Sequence, residues 1–102
     1  MKRLLVLGLA LLPLSTLSAN PCWAESKAVR VANIAGVMAG KAAFCGLDTD
    51  SFVAKYASEI HRLAKDHWDE QDATLQFITS FQVAQQIGPV TETCSEFSSS
   101  FH

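Results

Sequence analysis

Two hydrophobic patterns divide this chain. From Leu4 to Leu12 apolar residues run almost unbroken, whereas from Ala28 onward they recur by threes and fours and never alternate for long. The second pattern belongs to amphipathic helices, whose buried stripe follows a period of 3.6 residues, so the expected fold class is all-α, a small four-helix unit. The stripe Ala28, Val31, Ala35, Met38, Ala42 and Cys45 predicts a first helix from about Ser26 to Phe44, stopped by Gly46. Ala32, Gly36 and Gly40 lie four apart on another side of it. Such a row lets a second backbone approach closely; packing inside the domain is its plainer use, and a docking face for another subunit the alternative.

The cluster Asp48-Thr49-Asp50 offers side-chain acceptors for the start of a second helix. Its expected stripe is Phe52, Val53, Tyr56, Ala57, Ile60, Leu63, Ala64 and then His67 or Trp68, with Ser58, Glu59, Arg62, Lys65 and Asp66 opposite. The polar stretch Asp69-Glu70-Gln71-Asp72 predicts a turn and a new cap. A third helix then runs to Gln86, its apolar set Leu75, Phe77, Ile78, Phe81, Ala84 and Ile87, and Gly88-Pro89 ends it. A last short helix from Val90-Thr91 carries Cys94, Phe97 and Phe101 on one side.

The unbroken run changes the picture of the first 24 residues. Lys2 and Arg3 precede it, Pro13 follows, and a small-residue region closes on Cys22-Trp23-Ala24. This is the three-part pattern of a secretory signal peptide, with cleavage expected after Ala24. The run falls short of the ~20 residues that span a bilayer, so no stable membrane insertion is expected. Pro21 before Cys22 argues against a lipid anchor, whose signal needs a small residue there. The expected division is a signal peptide at 1–24 and one helical domain at 25–102, exported to the periplasm.

Export fixes the reading of the cysteines, because thiols pair in an oxidising compartment. With Cys22 removed, Cys45 and Cys94 remain as the one possible pair. In the chain-entropy model a bond closing a loop of that length stabilises by about 4 kcal/mol, a large share of the stability of a domain this small.

Removing Lys2 and Arg3 leaves six cations against ten acids, a net charge of about −4 without a basic patch. Nucleic acid is therefore not an expected partner. Acidification to about pH 3 would turn the domain strongly positive, and self-repulsion could then loosen the packing of Phe77, Phe81, Phe97 and Phe101 as in an acid-switched chaperone, although ordinary acid unfolding without client binding is the simpler expectation. His61 and His67, six apart, would point about 120° from each other on a single helix and could not face one ion. Asp66, His67 and Glu70 are the best remaining metal set, although a solvated helix end explains them more simply. Asp48-Thr49-Asp50 with Glu59 echoes a calcium loop, but Phe52 and Val53 stand where that loop needs an oxygen ligand and a Gly.

No HExxH, GxSxG, phosphate-cradling Gly loop or CxxC is present, and no enzyme activity or cofactor is expected. Most aromatic residues are needed for the core of so small a domain. Trp68, beside the charged break, is the candidate interaction anchor, with Phe97 and Phe101. The expected function is non-catalytic binding of another macromolecule, a protein partner, as a stress chaperone or as an accessory or inhibitor subunit. The alternative is a periplasmic carrier of a metal or small ligand.

Overall fold

A computed structural model describes residues 25–101, and the expected signal peptide at 1–24 lies outside the described residues. Four helices and no strands are present among them: α1 (Lys27–Phe44), α2 (Asp50–Leu63), α3 (His67–Ile87) and α4 (Cys94–Ser100). No helix among the described residues is long and apolar enough to cross a membrane.

Side-chain caps set most of the boundaries. The Ser26 hydroxyl accepts from the Val29 amide at 3.1 Å and opens α1, while Asp48 accepts from the Asp50 amide at 3.0 Å just ahead of α2. Thr93 and Glu96 form a reciprocal capping box at α4, which moves its start from the expected Val90-Thr91 to Cys94. The largest difference from the sequence expectation lies between α2 and α3. Asp69 to Asp72 do not form a turn; they are the first turns of α3, and His67 and Trp68 open that helix instead of closing α2. Asp66 is the actual cap, accepting from the Asp69 amide at 2.8 Å, and Asp69 in turn accepts from the Lys65 amide at 2.9 Å. Acids in a helix's first turn also meet the positive end of its dipole, so the polar stretch favours a helix start over a break.

The main contact joins α1 to α3. Gly36 lies against Phe77 and Ser80, and Gly40 against Phe81 and Ala84, so the two helices advance in the same direction side by side. A Cβ on Gly36 would stand 2.6 Å from the Phe77 carbonyl oxygen, and one on Gly40 2.6 Å from that of Phe81. The row of small residues is thus spent inside the domain, with Ala28, Ala32, Gly36 and Gly40 on α1 and Ala73, Ser80 and Ala84 on α3 all buried. Ser80 is the buried polar member. Its hydroxyl donates to Asn33 Oδ1 at 2.6 Å and accepts from Gln76 Nε2 at 3.0 Å.

α2 and α4 cover one side of this pair. Ile60 packs with Ala28, Ala32 and Ala73, while Phe52 packs on Ala35 and Ala39 with Tyr56, Phe81 and Phe101 around it. The Phe101 ring lies 4.9 Å from that of Phe52 and 5.5 Å from that of Phe97, centroid to centroid. The Cys45 and Cys94 sulfurs stand at bonding distance, 2.03 Å, at the end of α1 and the start of α4. Beyond His67 and Trp68, four residues of the expected stripes lie outside this core: Ala57 on α2 and Leu75, Ile78 and Ile87 on α3 are exposed. The small seam of α3, centred on Ala73, Ser80 and Ala84, takes the inward position and turns Leu75, Ile78 and Ile87 outward.

Candidate functional site

Because α2 leans on α1 and touches α3 more lightly, a groove opens between α2 and α3. Val53, Ala57 and Ile60 come from α2, and Thr74, Phe77 and Ile78 from α3, around a volume of about 300 Å³. The period of each helix explains the lining. Val53, Ala57 and Ile60 sit at i, i+4 and i+7, and Thr74, Phe77 and Ile78 at i, i+3 and i+4, so each set forms one stripe. Ile60 is buried at the floor, while Ala57 and Ile78 are exposed on the walls. A second depression of about 320 Å³ continues the apolar track past Phe77 and Ile78 to Phe81 and Gln85.

Charge gathers at the Glu70 end of the groove. Both oxygens of the Glu70 carboxylate lie 3.0 to 3.1 Å from His61 Nδ1, so this pair bridges α2 and α3. On the outward face of α2, away from the groove, Arg62 pairs with Glu59, and that ion pair holds the Glu59 carboxyl below the usual carboxylate range. The Asp69 carboxyl is lowered too, chiefly by the hydrogen bond from the Lys65 amide and then by one from the Ser26 side chain. These charges are exposed or half-buried, and each has a partner. None is a buried, unpartnered acid or base of the kind that marks proton-transfer chemistry.

The residues singled out from sequence fall in different places. Trp68 is 70% exposed, with its ring edge-on to His67 at 5.4 Å. Phe97 is buried, 4% exposed, and Phe101 is half-buried against Phe52, so the surface of both rings is largely used within the domain. Asp66, His67 and Glu70 do not converge: Asp66 is occupied as the α3 cap and Glu70 turns to His61. Among the described residues no group of three His, Cys, Asp or Glu side chains is placed to hold a metal ion. His61 and His67 belong to two helices, so the single-helix geometry expected for them does not apply.

Val53 and Ile60 pack on the core as their stripe predicts, and with Ala57 and Ile78 they also line the groove, which periodicity alone does not show. One signal in the sequence pointed to it: from Ala73 to Thr91 there is no Asp, Glu, Lys, Arg or His. A surface helix ordinarily carries charge on its solvent side, and depletion of charge is a mark of interface centres. No protein-family model, no curated protein and no solved structure matches the chain.

Proposed function

We propose that this is an exported, non-catalytic periplasmic protein that binds a protein partner through the α2–α3 groove, holding an apolar segment of that partner against Val53, Ile60, Phe77 and Ile78. The observation that carries the reading is α3 itself. Its inward seam is made of small residues, and Leu75, Ile78, Val83 and Ile87 are left 45 to 60% exposed along a helix without charge beyond Asp72. Scattered apolar residues on a surface are ordinary, but a concave apolar track with a charged end is the form in which proteins receive an apolar segment of a partner. The His61–Glu70 pair at one end would give such a segment a polar boundary and a direction. Trp68, 70% exposed in the first turn of α3 and outside the groove lining, would offer a separate aromatic contact to the same partner.

Stress chaperone, accessory subunit and inhibitor subunit all fit this description, and the number of partners separates them. The test is a photo-crosslinking residue placed at Ile78 in the groove and, as a control, at Ser58 on the outward side of α2, in cells exporting the protein. One discrete heteromeric adduct at 78 but not at 58 is expected for a dedicated partner, and many adducts at 78 for a chaperone. No adduct at 78, or equal adducts at both positions, refutes the groove as the binding site.

A further inference from the structure

We propose that the other side of the α1–α3 pair, the side that α2 and α4 leave uncovered, is a self-association surface on which a second copy of this chain docks the same face. A shallow depression of about 340 Å³ runs along it, lined by Val37 and Asn33 from α1, Val83 and Ile87 from α3, and Val90 beyond the end of α3. Val83, Ile87 and Val90 are 55%, 58% and 78% exposed, and Phe44 at the same end of α1 is 50% exposed. An isologous contact sets each patch against itself, so any charge on it meets its like. This face is suited to that arrangement. α1 has no charged residue from Val31 to Gly40 and α3 none from Ala73 onward, leaving Lys41 as the one charge in the lining. Elsewhere the domain carries ten acids against five other cations, and two copies meeting there would bring acid against acid.

The polar groups of the face lower the cost of covering it. Asn33, Gln76 and Ser80 hydrogen-bond to one another across the seam at 2.6 to 3.3 Å, so these groups keep partners when water is displaced. The size of the face sets the strength. At 1.5 Å per residue the uncharged stretches Val31–Gly40 and Ala73–Ile87 are about 15 and 22 Å long, and two helices about 10 Å wide give a plane of roughly 370 Å² per copy. The pair would then bury about 700 Å², the size of a weak, transient interface, so a dissociation constant of about 100 µM is expected.

Sedimentation velocity of the exported, oxidised protein over about 5 to 500 µM brackets that value. The expected result is a reversible shift from monomer to dimer that added salt does not weaken, because no ion pair holds it. Val83→Glu and Ile87→Glu should each raise the dissociation constant by about tenfold or more through burial of a charge. Leu75→Glu, also exposed but outside this lining, should leave it unchanged. Far-UV circular dichroism confirms that each variant is folded, as expected for exposed sites. A monomer throughout overturns the proposal, and so does a dimer that survives both Val83→Glu and Ile87→Glu. Association of this face only with added lipid vesicles or with another protein overturns it as well.

Discussion

Adding one methyl group at Gly36 reports on the central contact of the fold. In an exposed helix, Gly→Ala stabilises by about 1 kcal/mol, because alanine loses less backbone freedom on folding. Here the new Cβ would stand 2.6 Å from the Phe77 carbonyl oxygen and 2.9 Å from the Ser80 Cβ. Neither atom can rotate aside: one is backbone, and the other is the first carbon of a buried side chain. Relief requires α3 to move away by nearly 1 Å, which would thin the contacts of Ala28, Ala32 and Ala73 and stretch the Asn33–Ser80 hydrogen bond. Overpacking of this kind costs about 1 to 3 kcal/mol, and contacts to backbone place it toward the upper end. After the propensity gain, a net loss of about 1 to 2 kcal/mol remains. Urea denaturation followed by circular dichroism at 222 nm reads it: with a slope near 1 kcal/mol/M for so small a domain, the midpoint should fall by about 1 to 2 M. Gly40→Ala, facing the Phe81 carbonyl oxygen and the Ala84 Cβ, should behave alike. A midpoint unchanged or raised in both variants would refute the close parallel seam.

Two further outcomes follow from the caps and the staple. Cys94→Ala should destabilise the oxidised domain by about 2 to 5 kcal/mol, read from the same denaturation curves, since it frees a loop with a sequence separation of 49; an unchanged midpoint would show that the bond carries no stability. Asp69→Asn keeps the shape of the side chain and removes its charge. The Asp69 carboxyl is lowered in the folded state by the Lys65 amide and by Ser26, so its contribution is fully present above the unfolded carboxyl value of about 3.9 and is lost as pH falls through the folded value. The Tm of wild type should therefore exceed that of Asp69→Asn at neutral pH and converge toward it below about pH 4; a gap that stays constant from pH 7 to pH 2 would show that the charge is not involved.

How much of this fold is legible in the sequence depends on whether a feature is local. The four helices and the pairing of Cys45 with Cys94 follow from spacing and elimination, and the structure contains them. The start of α3 was misplaced because Asp66 and the acids from Asp69 to Asp72 are equally good caps by type, and only the Lys65–Asp69 and Asp66–Asp69 hydrogen bonds decide between them. The partner of the Ala32, Gly36 and Gly40 row was not legible at all. Periodicity says which face of a helix is buried, but not against which helix or in which direction.

That one unreadable choice has consequences for the whole surface. A seam of alanine, glycine and serine brings α1 and α3 into close contact but removes little apolar area from water, about 0.8 kcal/mol for each buried methyl group. No large side chain among the described residues is completely buried, and the bulky core is limited to Phe52, Ile60 and Phe97 with half-buried neighbours. A domain near 80 residues with such a core is at the size where staples are needed, which gives the Cys45–Cys94 bond its weight. The same choice turns Ile78 toward the α2–α3 groove and Val83 and Ile87 toward the opposite face. Small residues inside and large ones outside are thus two results of one packing decision, so enlarging the seam and covering the surface should be energetically linked. A ligand or second copy that binds only the folded state would raise the apparent stability of Gly36→Ala along with that of the wild type, by RT ln(1 + [L]/Kd). If it instead restored Gly36→Ala alone, the surface would be reporting on the separation of α1 and α3, and the two faces would be coupled through the seam between them.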